Sequence, residues 1–232
     1  MEENAKSCKI VLLGESGVGK TSIIDRFIND KFEDEGISTI AASFVDKTMT
    51  FEEFQGKSVK FEIWDTAGQE KYRSLNKIFY KKTGAAILVY DITNKQSFEE
   101  LKNYWYQQIK EFAPKDISKK LYKLFYFYFY FFLLVIGIAG NKGDLFDREA
   151  VKEEEVKIFA KEIDAIFRLT SACTSFGIKE LFKSIGLKIL DPNFKNDEKN
   201  IEKSGNNGAN NRGVKLEVQK DKNDIKKKKN CC

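Results

Sequence analysis

Gly14-Glu15-Ser16-Gly17-Val18-Gly19-Lys20-Thr21 is an unbroken G-x-x-x-x-G-K-[ST] octapeptide, and no other stretch of the chain narrows its fold as sharply. The pattern needs a strand in front and a helix behind. Lys9-Ile10-Val11-Leu12-Leu13 is a short, partly β-branched apolar run, and the residues from about Gly19 to Asn29 read as the helix. Glycines let backbone N–H groups turn inward around phosphate oxygens, and a helix N-terminus adds partial positive charge. Lys20 then reaches the outer phosphates, and the Thr21 hydroxyl can ligate Mg²⁺. A glycine-rich connector with no ligand is the bland alternative, and the strand-turn-helix setting argues against it.

Beyond the octapeptide, Phe44–Phe51 and Ser58–Trp64 alternate apolar and polar residues on either side of Glu52-Glu53-Phe54-Gln55-Gly56-Lys57, which predicts a hairpin. Strand-then-helix pairs follow: Ala85–Tyr90 before Ser97–Phe112, Ile136–Ala139 before Val151–Ile163, and Phe167–Thr170 before Ile178–Leu190. This order predicts an α/β fold, a mostly parallel six-stranded sheet with one antiparallel strand and helices on both faces. Sheets of this kind bind ligands at the carboxyl ends of their strands.

A phosphate cradle reads no base. That choice falls to Asn141-Lys142-Gly143-Asp144, directly after a predicted strand. A carboxylate at Asp144 accepts hydrogen bonds from guanine N1–H and the exocyclic amine, a donor pair adenine lacks. Alone, N-K-x-D is a weak match; downstream of a phosphate loop it is strong.

These motifs resemble the Rab family of small GTPases over residues 8 to 190, together with the last two cysteines. Trp64-Asp65-Thr66-Ala67-Gly68-Gln69-Glu70 is similar to that family's third nucleotide motif, Ser38-Thr39-Ile40 to its switch I, and Thr170-Ser171-Ala172 to its last guanine loop. The resemblance implies a P-loop GTPase fold over 1–190, GTP or GDP as ligand, and Mg²⁺ held by Thr21, Thr39 and, through water, Asp65. It places Ser16, Gly17, Val18, Gly19, Lys20, Thr21, Ser22 and the Gly68 N–H at the phosphates, and Phe32 at the guanine edge. Asn141, Lys142, Asp144, Leu145, Ser171, Ala172 and Cys173 surround the base. Lys20 and Gln69 are the catalytic residues, with Gln69 orienting the attacking water.

Arg26 reads as a surface residue of the first helix and Arg73 as part of switch II, so no built-in arginine finger is expected. Turnover should then be slow, with a GTPase-activating protein supplying roughly 10³–10⁵ in rate. The resemblance also implies an exchange factor, a GDP-dissociation inhibitor and prenylation machinery as partners, and residues 33–43 and 66–80 as switch segments ordered by GTP. Phe44, Trp64 and Phe79 match the aromatic trio through which Rabs meet effectors; ordinary core packing competes for Phe79 and weighs more for Phe44. Ala41 stands where the family has glycine and Cys173 where it has lysine, and the hairpin turn is longer. Rival readings are a module that holds nucleotide without significant hydrolysis, a P-loop ATPase, and an integral membrane protein spanning Leu124–Gly140.

Composition decides the role of the C-terminal end. From Asp191 to Asn230 there are eleven Lys/Arg against seven Asp/Glu, a surplus of four that leaves the rest of the chain one of its net +5. The body thus has no basic bias toward nucleic acid, and the tail, poor in large apolar residues, predicts disorder over 191–232. Four cysteines, two of them terminal, make no disulfide framework. Lys226-Lys227-Lys228-Lys229-Asn230-Cys231-Cys232 resembles the double-cysteine ending on which Rabs carry two geranylgeranyl groups. Two lipid chains plus basic residues give a stable anchor where one does not. The resemblance thus implies a regulator of vesicle traffic on the cytoplasmic face of an intracellular membrane, with Ala139–Lys142 and switch I resembling the endosomal branch.

Residues 118–135 are extra to that family. The Phe/Tyr-rich run from Lys119 to Val135 is too short for a comfortable membrane span and too large for an already filled core, and exposed it would aggregate. Ser118-Lys119 can be encoded AGT-AAG and Leu134-Val135 TTA-GTT, which resemble splice donor and acceptor. Excision there keeps the reading frame and leaves a new isoleucine between Ile117 and Ile136. A retained intron is the expectation.

Overall fold

The computed structural model describes residues 5–33, 43–66, 77–112 and 134–194. The strands are β1 (Lys6–Leu13), β2 (Ser43–Phe51), β3 (Lys57–Asp65), β4 (Ala85–Asp91), β5 (Val135–Asn141) and β6 (Ile166–Leu169). They form one six-stranded sheet in the order β2-β3-β1-β4-β5-β6. Only the β2–β3 pair is antiparallel, a hairpin running from Ser43 opposite Asp65 to Phe51 opposite Lys57. Every residue of β4 is buried, as befits a parallel strand covered on both faces. β3 instead alternates, with Val59, Phe61 and Ile63 turned into the core.

Helices α1 (Lys20–Asn29) and α4 (Ile178–Leu190) cover one face of the sheet, where Phe27 and Phe182 stack with ring centroids 3.7 Å apart. Cys8 of β1 lies in the same cluster, and burial pushes its thiol up to about 12. The other face is covered by α3 (Glu153–Glu162) and by α2, a continuous helical run from Lys95 to Phe112. A π-helical segment, Leu101–Trp105, interrupts α2, a local widening the apolar periodicity does not signal.

Element boundaries differ from the sequence pattern in explicable ways. α2 starts at Lys95 because the Asn94 side chain accepts from the Ser97 N–H at 3.3 Å, an N-cap ahead of the apolar period. α3 starts at Glu153, with Val151 a buried residue before it rather than its first turn. β5 begins one residue early, at Val135, which pairs with Ala85 and is buried. The sequence pattern assigns Val135 to the insert and allows Leu124–Gly140 as a membrane span; Val135–Asn141 is instead a strand inside the sheet. Among the described residues no helix is long and apolar enough to cross a membrane. The remainder of 118–135 and of 191–232 lies outside the described residues, apart from Leu134 and 191–194.

Candidate functional site

β1 ends where the octapeptide begins, and two glycines explain the sharp turn. A Cβ on Gly14 would sit 2.2 Å from Val89 O, so the loop lies directly on β4. Gly19 has φ +91, and a Cβ there would meet Asn141 Nδ2 at 2.3 Å. Lys20, the first residue of α1, folds back over the loop: its ammonium donates to the carbonyls of Gly14 at 2.9 Å and Glu15 at 2.8 Å. Burial pushes Lys20 down from 10.5 to about 8, with the Asp65 and Glu15 carboxylates opposing the shift. Beside it, Thr21 Oγ1 donates to Asp65 Oδ2 at 2.6 Å, bringing the end of β3 to the start of α1. Ser16, Gly17 and Thr21 are exposed along the crevice, Ser22 is half-buried and Val18 is buried.

The second half of the site is assembled by side chains. Asn141, at the end of β5, is 2 % exposed and faces two ways. Its Nδ2 donates to Val18 O at 2.9 Å, and its Oδ1 accepts from Thr170 Oγ1 at 3.4 Å and the Ala172 N–H at 3.3 Å. One amide thus ties the phosphate loop to the loop after β6. Lys142 adopts a left-handed conformation, φ 63, and its ammonium pairs with Asp91 Oδ2 at 2.7 Å. Asp144 Oδ1 accepts from Ser171 Oγ at 2.5 Å, and Leu145 is exposed beside it. Phe32 is half-buried and packs against the α1–α4 core. The structure therefore brings together Ser16 to Ser22, Asp65, Asn141 to Leu145 and Ser171 to Cys173; Thr39, Gly68, Gln69, Cys231 and Cys232 lie outside the described residues.

Three contributors escape sequence reasoning. Arg26, assigned to the surface, has a side chain only 15 % exposed. Its Nε donates to Ala172 O at 2.8 Å and its Nη2 to Cys173 O at 3.0 Å. No periodic signal marks it, since it falls between the core positions Ile23, Ile24 and Phe27. Asp91 anchors Lys142; as an acid at the carboxyl end of a predicted strand it carried a usable signal. Trp105, in the π-helical segment, donates its indole N–H to Glu15 Oε1 at 2.9 Å, a contact over 90 positions that no local pattern encodes.

The aromatic trio forms one surface. Phe44 and Trp64 have ring centroids 5.2 Å apart, and Trp64 and Phe79 5.4 Å. Core packing is the weightier expectation for Phe44, and the structure overturns it: Phe44 is 49 % exposed, because it lies on edge strand β2 on the face opposite Val45, Met49 and Phe51, which pack on the α1–α4 core.

A phosphate loop joined through Asn141 to an N-K-x-D loop, at the carboxyl ends of a mostly parallel sheet, defines a P-loop nucleotide-binding protein of the GTPase class. The model of the Ras family matches residues 9–191, and the chain belongs to that family. Over 184 residues it is 41% identical to Ras-related protein Rab-22A of Homo sapiens and of Mus musculus, an alignment covering 79% of this chain and 84% of each relative. It is 40% identical over 209 residues to the GTP-binding protein ypt5 of Schizosaccharomyces pombe, covering 90% of this chain and 86% of that protein. The chain is a Rab-type small GTPase, an enzyme that hydrolyses GTP, of the kind that regulates vesicle traffic.

Proposed function

We propose that this GTPase is a slow, Mg²⁺-dependent timer tethered by lipid to an endosomal membrane. The convergence of Lys20, the Thr21–Asp65 pair and the Asp144–Ser171 pair on one crevice carries the nucleotide half of that reading. The Lys20 ammonium, braced by two carbonyls, takes the charge that develops on the β- and γ-oxygens. Thr21 Oγ1 and Asp65 Oδ2 are hard oxygens 2.6 Å apart, and Mg²⁺ beside a nucleotide asks for one or two protein oxygens of that kind. Bound there, the ion supplies further charge compensation at the phosphates. In this reading Thr39 and the Gly68 N–H sense the γ-phosphate, and Gln69 orients the attacking water.

Slowness is the reading the sequence suggests, since no arginine finger of its own is expected. Among the described residues Arg26 is committed to the base end of the crevice, away from the phosphates, and Arg73 lies outside them; a partner then supplies the missing charge, about 4–7 kcal/mol of barrier lowering. Phe44, Trp64 and Phe79 present the effector surface, with exchange factor, GTPase-activating protein and GDP-dissociation inhibitor acting on the adjacent switches. Cys231 and Cys232 carry two prenyl chains, supported by the lysines before them. The decisive experiment follows GTP loss from purified full-length protein alone and with cell extract, and membrane partitioning with and without Cys231-Cys232. Several turnovers per second without activator, or unchanged partitioning after the deletion, would overturn the reading.

Residues 118–135 we read as a retained intron. The insert joins the sheet at the amino end of β5, opposite the crevice, and the isoleucine created by splicing would stand at Val135, a buried position that suits a β-branched side chain. A mature transcript that keeps the segment refutes this.

A further inference from the structure

We infer that Arg26 is a positioning residue for guanine recognition: it sets the orientation of the Asp144 carboxylate through a chain of hydrogen bonds along the loop after β6. The inference rests on the reading of Asp144 as the base-reading group. The chain starts where Arg26 Nη2 donates to Cys173 O at 3.0 Å. That carbonyl belongs to the same peptide unit as the Thr174 N–H, and in a trans peptide the two point opposite ways. The Thr174 N–H donates to Ser171 Oγ at 3.0 Å. Ser171, spending its oxygen as an acceptor there, donates its own proton to Asp144 Oδ1 at 2.5 Å. Each donor polarises the next group, so the cationic head of the chain strengthens its acidic end.

The guanidinium suits this task because its donors are fixed in one plane. Nε holds Ala172 O at 2.8 Å while Nη2 holds the next carbonyl, so the fork grips two successive peptides. On the far side, Nη1 donates to Asp30 O at 2.8 Å and Asp30 Oδ1 at 3.0 Å, anchoring the fork to the end of α1. The Asp30 N–H in turn caps Arg26 O at 3.1 Å, closing α1 on the residue that does the gripping. Helix α1 thus serves both ends of the crevice, its first turn at the phosphates and its last at the base loop. The bonds are to backbone carbonyls, so they survive at Cys173, where the family has lysine. A lysine at 26 cannot reproduce the fork: one ammonium cannot bridge two carbonyls and Asp30 in a plane.

The test compares GDP, IDP and ADP dissociation from full-length wild type, R26K, R26Q and D30A, with thermal melting to confirm folding. IDP lacks the exocyclic amine that Asp144 reads. Wild type must first prefer GDP to ADP; failure there sinks the base-site reading itself and not the role of Arg26. Given that preference, R26Q and R26K are expected to release GDP about ten- to a hundredfold faster and to shrink the GDP-over-IDP preference. D30A, altered at an exposed carboxylate, shifts both in the same direction by less. Equal acceleration of GDP and IDP, or wild-type behaviour in R26K, overturns the proposal, since a merely structural arginine leaves the ratio intact and a merely cationic one is replaceable by lysine. Should R26Q melt too low to assay, R26K and D30A decide alone.

Discussion

At the phosphate end of the crevice one octapeptide works through its backbone, with Gly14 pressed on Val89 and Lys20 folded over its own loop. At the base end, the Asn141 amide grips the Val18 carbonyl, Asp91 of β4 holds Lys142, and Arg26 of α1 holds the Ala172 and Cys173 carbonyls, over separations as large as 147 positions. The first end takes its shape chiefly from its own glycines and lysine, with β4 and Trp105 set against it; the second is assembled only when the sheet is complete. Damage to the phosphate end should therefore stay local, whereas the base end should respond to changes far from the ligand.

Lys20→Ala tests the local end with the largest effect. Removing a buried ammonium that faces the phosphates forfeits charge-assisted bonds of about 1.5–3 kcal/mol each, so GDP affinity should fall roughly 10²–10³-fold. Displacement of a fluorescent GDP analogue measures it, and preference for guanine over hypoxanthine should persist; its loss would show that the two ends are not separable. Asp144→Asn tests the other end. Trading the carboxylate for an amide should cost about 2–3 kcal/mol for GDP, roughly 30- to 160-fold. The new N–H donor fits a C2 carbonyl, so XDP should gain while pyrophosphate affinity holds.

Gly19→Ala strikes the joint between the ends. Its Cβ would fall 2.3 Å from Asn141 Nδ2 on a backbone at φ +91, a strain of about 1–3 kcal/mol. GDP affinity should drop around tenfold and the melting temperature should fall with it; a loss confined to phosphate affinity would mean Asn141 does not couple the loops. The mildest test is pH. Nucleotide binding needs the Lys20 ammonium, and with a value near 8 in the empty protein that proton is lost as pH rises past 8. GDP affinity should stay flat below 8 and fall by at most tenfold per unit across the window from 8 to the ordinary 10.5, levelling only where the nucleotide-bound lysine itself gives up its proton. Stability of the empty fold moves oppositely across that window, because the unfolded lysine retains the proton the folded one gives up. Parallel titration of GDP binding and chemical denaturation reads both signs.

The same contrast accounts for what was legible in the sequence. Glycine spacing, strand runs and the N-K-x-D tetrapeptide encode local geometry, so β1, α1, the hairpin and the phosphate loop could be read directly, and α4 matches its pattern residue for residue at Ile178–Leu190. Arg26 was not legible because helical periodicity reports which face meets the core and cannot report a grip on a loop 146 positions away. Phe44 shows the same limit: alternation puts it on the face of β2 opposite Val45, Met49 and Phe51, but cannot say that this face is left uncovered at the outermost strand. The early start of β5 at Val135 was hidden by the aromatic run, whose apolar character continues without a break into the strand.

Cys8 has a practical consequence. Its thiol is sealed in the core and too weakly acidic to form a thiolate near neutrality, so a thiol-directed dye added to the folded protein cannot count it. Every equivalent of dye consumed then comes from Cys173 or from the pair at 231 and 232, and the lipid attachment proposed above would remove that pair. A colour titration on native protein, needing no mass spectrometer and no membrane, would thus tell a freshly made chain from a fully processed one.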